Sequence, residues 1–230
     1  MYLFRIITNP VIVTNHGVRL NVQDPVLAPY KKLIYMNAWE TDEVMLLKKY
    51  IDKNDQILEV GACIGFVSSC ASMIIGSQRV TAIEANPDLI DAIKRMNKRN
   101  KIDFKVINAM IKKGGGREAF RKNSNIFSSS LSSRQGESSI SYVQCIELHD
   151  LPVKQEPTFI IIDIEGGEYD FFLDFDMPDS VEKLLVEFHG IKKNSGLRTN
   201  LYTDVLKRLQ DQSFKLIEVR GRVHLFKRIE

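Results

Sequence analysis

Apolar positions along this chain repeat with two different periods, and the switches between them lay out the expected elements. Short apolar runs at residues 56–60, 80–83, 104–107, 159–162 and 183–188 read as strands. The stretches between them recur at three or four residues instead. A first helix is expected over residues 41–53, with Val44, Leu47, Tyr50 and Ile51 at helix spacing and Asp42, Glu43, Lys48 and Lys49 on its polar face. Asn86 caps a second, Pro87 occupies its first position, and Leu89, Ile93 and Met96 mark its buried face. Leu201, Val205, Leu206 and Leu209 outline a late helix, followed by residues 214–219 and 223–226 around Arg220-Gly221-Arg222 as an antiparallel hairpin. Strand and helix in alternation predict a doubly wound α/β fold, its mostly parallel sheet covered on both faces.

At the other end, residues 11–14 and 18–22 flank Asn15-His16-Gly17, whose composition suits a tight β-hairpin with positive φ. The chain therefore divides into an N-terminal hairpin extension, residues 1–38, and an α/β domain, residues 39–230. Residues 123–141 hold nine serines and one glycine without core periodicity, so a loop is expected there, either mobile on the surface or organised only by a ligand that it closes over.

Composition narrows the class without choosing within it. Hydrophobic residues are 44% and charged residues 27% of 230, the proportions of a globular protein with a sizeable core. No apolar run reaches the roughly 20 residues that span a bilayer, and the first ten residues turn polar too soon for a signal peptide, so a cytoplasmic location is expected. Cys63, Cys70 and Cys145 have no C-x-x-C spacing; neither zinc nor a disulfide framework is suggested, and no metal ligands are assigned.

The chemistry gathers at strand ends. Glu59-Val60-Gly61-Ala62-Cys63-Ile64-Gly65 passes from a strand through a small-residue turn into a helix, where a backbone can approach a ligand closely. Three residues separate its glycines, and no third glycine completes G-x-G-x-x-G, which favours a site for an adenosine and an amino acid over a pyrophosphate grip. Glu84 ends the next strand, where a carboxylate can accept from both hydroxyls of a ribose. The apolar run at residues 159–162 then breaks into Asp163-Ile164-Glu165-Gly166-Gly167-Glu168, and residues 184–188 deliver Glu187 and His189 to the same rim. An imidazole with an ordinary pKa of about 6.5 suits a base near neutrality, which makes His189, beside Asp163 and Glu165, the leading catalytic candidate.

These pieces resemble the FkbM-type methyltransferases. The likeness runs from about Trp39 onward through Trp39-Glu40, the Glu59 to Gly65 turn, Glu84-Ala85-Asn86-Pro87, Asn108-Ala109, Ser129-Ser130-Leu131, Ile146-Glu147-Leu148-His149-Asp150, the Asp163 to Glu168 acidic run and Val186-Glu187. Glu59 stands where the family usually has Asp, Cys63 where Asn is frequent, and Ile162 where Lys is common. The resemblance implies a seven-stranded Rossmann-like sheet of the class I methyltransferases. It implies S-adenosylmethionine as methyl donor and a hydroxyl of a sugar, glycolipid or natural product as acceptor. The cofactor positions that follow are Glu40, Glu59, Gly61, Ala62, Cys63, Gly65, Glu84, Ala85, Asn108, Ala109 and Asp163, with His189, Asp163 and Glu165 on the acceptor side.

A rival reading starts from charge. The net charge is +3, and Lys94, Arg95, Lys98, Arg99, Lys101, Lys105, Lys112, Lys113, Arg117, Arg121 and Lys122 could grip phosphates, which would make the chain a nucleic-acid binder or an RNA methyltransferase. Only Phe104 and Phe120 are aromatic in that stretch, so base-stacking surfaces are few.

Overall fold

A computed structural model describes residues 1–122, 139–190 and 196–229. The serine-rich segment expected to close over an acceptor falls outside them, except that its last residues belong to a strand.

Helix α1 (Tyr2–Thr8) precedes a hairpin of β1 (Ile12–Asn15) and β2 (Val18–Asn21). The two turn residues, His16 and Gly17, both have positive φ, 52° and 99°, as the sequence requires of so short a connection. Arg5 anchors the opening helix: its guanidinium donates to the Asn15 side chain and to the carbonyls of Thr14, Ile34 and Tyr35 at 2.9–3.1 Å. Helices α2 (Lys31–Met36) and α3 (Thr41–Tyr50) lead into the main sheet.

That sheet has seven strands: β3 (Ile57–Val60), β4 (Val80–Glu84), β5 (Lys105–Asn108), β9 (Phe159–Ile162), β10 (Lys183–Glu187), β11 (Phe214–Arg220) and β12 (Val223–Arg228), in the order β11-β12-β10-β9-β3-β4-β5. β3 pairs in parallel with both β4 and β9, and β9 in parallel with β10. The closing β11–β12 hairpin is antiparallel, and β12 runs against β10. From β3 the chain winds outward to β5, then returns to β9 on the other side. The order therefore reverses between β3 and β9, and in open α/β sheets a ligand crevice forms outside the carboxyl ends at such a point.

Strand alternation sorts the apolar side chains into two layers. Ile57, Ala82, Phe159, Ile161 and Leu185 pack with α3, α4 (Phe66–Ile75), α5 (Pro87–Asn100) and the N-terminal hairpin. Leu58, Val60, Ile160, Ile162, Leu184 and Val186 pack with α6 (Glu168–Asp174) and α7 (Gly196–Asp211). The N-terminal residues Val13, Val18, Leu20 and Ile34 thus share a core with the sheet.

Three expectations change. The first helix ends at Tyr50, short of residue 53, and Glu43, assigned to its polar face, is only 7% exposed. The α6 helix follows directly on the acidic run. A separate sheet of β6 (Met110–Ile111), β7 (Gly116–Lys122) and β8 (Ser139–Ile146) was not foreseen, and β8 takes in Ser139 to Ser141. Its strands mix polar and apolar residues and lack the uninterrupted apolar runs that mark the core sheet; Tyr142 stays 67% exposed.

Candidate functional site

The turn after β3 is built from backbone constraints. Gly61 has φ of 89°, and a Cβ there would stand 1.8 Å from the carbonyl oxygen of Asp163. Gly65 has φ of 75°, and its Cβ would meet the Phe104 ring at 2.9 Å. The N–H groups of Gly61 and Ala62 both donate to the Ile83 carbonyl at 3.0 Å, which ties the turn to the end of β4.

Glu84 is the hub of this region. One carboxylate oxygen accepts from the Cys63 N–H at 2.7 Å and the other from the Asn86 N–H at 2.6 Å. Burial raises its pKa to about 7. Asn108 donates to the carbonyls of Glu84 at 2.8 Å and Ala85 at 3.2 Å, and the Ala109 N–H reaches the Glu84 carbonyl at 3.2 Å. These contacts lock the ends of β4 and β5 together.

A cleft of about 1380 Å³ opens over these strand ends. Glu40, Gly61, Cys63, Glu84, Ala85, Ala109, Asp163 and Glu165 line it, as do Trp39, Glu43, Glu187 and Arg222. Ligand pockets commonly measure about 300–1,000 Å³, so there is room for a nucleoside-sized donor together with an acceptor. Glu59, Ala62, Gly65, Asn108 and His189 are not on its wall. Glu59 falls on the α4 face of β3 by strand alternation, and its carboxylate, in a residue 4% exposed, accepts from the Ser68 N–H at 3.0 Å and from the Ser68 hydroxyl. Burial raises its pKa to about 8.

Three non-glycine residues at this rim adopt positive φ: Glu40 at 43°, Cys63 at 52° and Glu165 at 51°. Such backbone is costly and persists where the surroundings impose it.

On the acceptor side, Asp163, Glu187 and His189 follow β9 and end β10, all on the face that α3 covers. His189 Nδ1 meets Glu168, whose side chain is fully buried. Nε2 lies 3.6 Å from Glu165, 3.7 Å from Glu187 and 3.8 Å from Asp163. Burial pulls the imidazole pKa down, but the Glu168 bond and the charges of Glu168, Glu165 and Glu187 outweigh it and leave it above 6.5. Asp163 is held well above the usual carboxylate range by burial and by Glu187, Glu40 and Glu165; its Oδ1 is buried without a hydrogen-bond partner among the described residues. Glu43 is pushed up to about 7, chiefly by burial.

The structure sets Asp163, Glu165 and His189 beside one another; the sequence reading grouped Glu168 with the acids of the rim but not with His189, and it did not place Glu43 or Arg222 at the site. Arg222 sits in the closing hairpin and pairs with Glu187. No local pattern announces either contact; only the hydrophilic break after residue 162 hinted at Glu168.

Solved methyltransferases share this architecture. A precorrin-6y C5,15-methyltransferase from Geobacter metallireducens GS-15 aligns with a TM-score of 0.50 at 16% identity, over 81% of this chain and 86% of that one. A ribosomal protein L11 methylase from Lactobacillus delbrueckii subsp. bulgaricus gives 0.52 at 17%, over 84% and 80%. TYW2 of P. horikoshii, in complex with MeSAdo, gives 0.52 at 12%, over 94% and 68%. At these identities the likeness is one of fold. A sequence search of curated proteins found no significant match.

A doubly wound sheet in this strand order, with a glycine turn after β3 and a carboxylate ending β4, joins a family match over more than half of the chain to make this a class I methyltransferase dependent on S-adenosylmethionine. More particularly, the Methyltransferase FkbM domain matches residues 59–216, and the chain belongs to that family.

Proposed function

We propose that this enzyme methylates a hydroxyl oxygen of a small molecule, such as a sugar, glycolipid or natural-product alcohol, bound against Asp163, Glu165 and His189. The observation that carries this reading is the convergence of three carboxylates on His189 Nε2 at 3.6–3.8 Å, beside the cleft that holds the Gly61 turn. An alcohol becomes a competent nucleophile only as its proton leaves, and a cluster of proton-accepting groups serves that need. A neutral amine attacks without first losing a proton.

In this reading Gly61, Cys63, Asp163 and Glu40 would hold the cofactor's amino-acid end. Glu84 would hold its ribose, and Ala85 and Ala109 its adenine, with Asn108 fixing the strand ends beside them. Bound there, S-adenosylmethionine supplies a methyl group made electrophilic by the sulfonium, and the acidic lining favours that positive charge. Glu59, Ala62 and Gly65 act by shaping the turn. Residues 1–38 form a bracing extension and residues 39–230 the catalytic domain.

The basic residues of the rival reading are partly committed elsewhere. Arg95 pairs with Asp24 at 2.9 and 3.1 Å, Lys94 with Asp91, and Lys112 with Glu118. This favours a small acceptor over nucleic acid.

The test is incubation with methyl-labelled donor and separate pools of small alcohols, small amines and RNA, with products identified by mass spectrometry. Base-stable methyl ethers from the alcohol pool are expected. Label confined to nitrogen or to RNA would overturn the proposal.

A further inference from the structure

We infer that Asp163, Glu187 and His189 form a binding site for one divalent cation, Mn²⁺ or Mg²⁺, which holds the acceptor hydroxyl. The inference rests on the hydroxyl reading above and adds a metal that no sequence motif announced. One potential ligand atom from each of the three residues lies within 4.8 Å of the others.

The imidazole is oriented as a ligand. A metal-bound histidine almost always gives its other ring N–H to a carboxylate or carbonyl, which fixes the ring and its tautomer. Fully buried Glu168 takes Nδ1 of His189, so Nε2 is left to face Asp163 and Glu187. Those two carboxylates lie 3.7–3.8 Å from Nε2, too far for hydrogen bonds and near enough to share an ion.

Asp163 supplies the independent sign. Its Oδ1 is buried and has no hydrogen-bond partner among the described residues. A buried polar atom left unmatched costs stability. A cation between it and Nε2 removes that cost.

Charge balance points the same way. Among the described residues, nine acidic ones line the cleft, against two basic ones, Lys112 and Arg222. Both basic residues are engaged: Lys112 with Glu118, and Arg222 with one oxygen of Glu187, whose second oxygen faces His189. The cofactor brings two positive groups and one carboxylate, so acidic groups still outnumber positive ones among the described residues of the filled cleft. Two carboxylate oxygens, one imidazole nitrogen and open positions suit hard or borderline ions such as Mg²⁺ and Mn²⁺.

The ion takes the hydroxyl oxygen at an open position and lowers its pKa. The proton passes to Glu165 and on to water. The oxygen's electron pair forms the new C–O bond, the S–C pair returns to sulfur, and the products are a methyl ether and S-adenosylhomocysteine.

Mn²⁺ titration of the full chain without acceptor, followed by electron paramagnetic resonance of the free ion, tests the site directly. One Mn²⁺ per chain is expected, displaced by Mg²⁺. Glu187→Gln and the isosteric Asp163→Asn should each weaken it at least about tenfold, and Glu168→Gln roughly 10–100-fold through the histidine it orients. Circular dichroism and a cooperative melt show which variants are folded, and one folded ligand variant suffices. Mn²⁺ left free at about 1 mM, where only an interaction weaker than roughly −4 kcal/mol escapes notice, overturns the inference. So does wild-type affinity in a folded Asp163→Asn or Glu187→Gln. Stoichiometric Mn²⁺ with no methyl ether formed would sink the hydroxyl reading and leave the site standing. Methyl ethers formed at full rate by chelator-treated enzyme that binds no Mn²⁺ would do the reverse.

Discussion

The buried carboxylate of Glu168 accepts the Nδ1 proton of His189, 21 residues further along the chain. A carboxylate can only accept, so this contact aims Nε2 at Asp163, Glu165 and Glu187. His189→Ala should lower turnover by about 10²–10⁴-fold while leaving S-adenosylmethionine affinity nearly intact. Steady-state kinetics beside calorimetry checks both halves. Turnover near the wild-type value would remove His189 from the acceptor side.

Glu84 should control cofactor affinity and its pH dependence. Replacing it with Ala removes a charged acceptor for the ribose and should cost about 1.5–3 kcal/mol of binding. Because burial raises its pKa to about 7, the carboxylate is mostly protonated below that pH. Affinity should therefore rise as pH climbs through about 7 in the wild type and stay flatter in Glu84→Gln. Calorimetry across that range decides, and equal slopes in the two proteins would exclude Glu84 as the titrating group.

Gly61 and Gly166 offer a matched pair of backbone tests. Both have positive φ, but a Cβ at Gly61 would collide with the Asp163 carbonyl at 1.8 Å, whereas at Gly166 it would meet nothing within 4 Å. Gly166→Ala should cost only the left-handed strain, about 1–2 kcal/mol. Gly61→Ala adds overpacking and should cost roughly 2–5 kcal/mol in all. Urea unfolding of the two variants would show it; similar losses would mean the turn has room to move.

The cofactor-free protein should lose stability as pH rises. Glu59, raised from 4.5 to about 8, and Glu84, raised to about 7, bind their protons more tightly folded than unfolded. Their contribution is fully present below 4.5 and is lost as pH climbs through those raised values. The melting temperature should fall across that window, and less so in Glu59→Gln. A melting temperature that rises with pH throughout would contradict the assigned direction.

Lys183, 3% exposed, reaches Asp52 and Asp55 at 2.7 Å and the Tyr50 carbonyl at 3.2 Å. Lys183→Met strands the buried Asp55 carboxylate and should cost about 3–5 kcal/mol, part of it recovered by adding Asp55→Asn. Denaturant unfolding of single and double variants measures both. Full additivity would show that the charges do not interact.

Periodicity made the main sheet legible, since each core strand is an uninterrupted apolar run and the capped α5 carries its signals locally. The β6 to β8 sheet was not, because β6 is two residues long, four of the seven residues of β7 are charged, and the strands are defined mainly by their hydrogen bonds to one another.

At the site, residue types and strand ends fixed the chemistry: a glycine turn, a carboxylate ending β4, and acids and a histidine after β9 and β10. Which of them face the cleft was settled by packing. Glu59 stands beside the glycine turn in sequence, yet alternation turns its side chain under α4 to Ser68. Glu43 looked like surface until α3 packed against β10, and Arg222 reached Glu187 only when the last hairpin closed antiparallel on that strand. A sequence records which groups exist and the period that places them on a strand or helix. Pairings between elements far apart in the chain are set by burial and sheet register, which no local window contains.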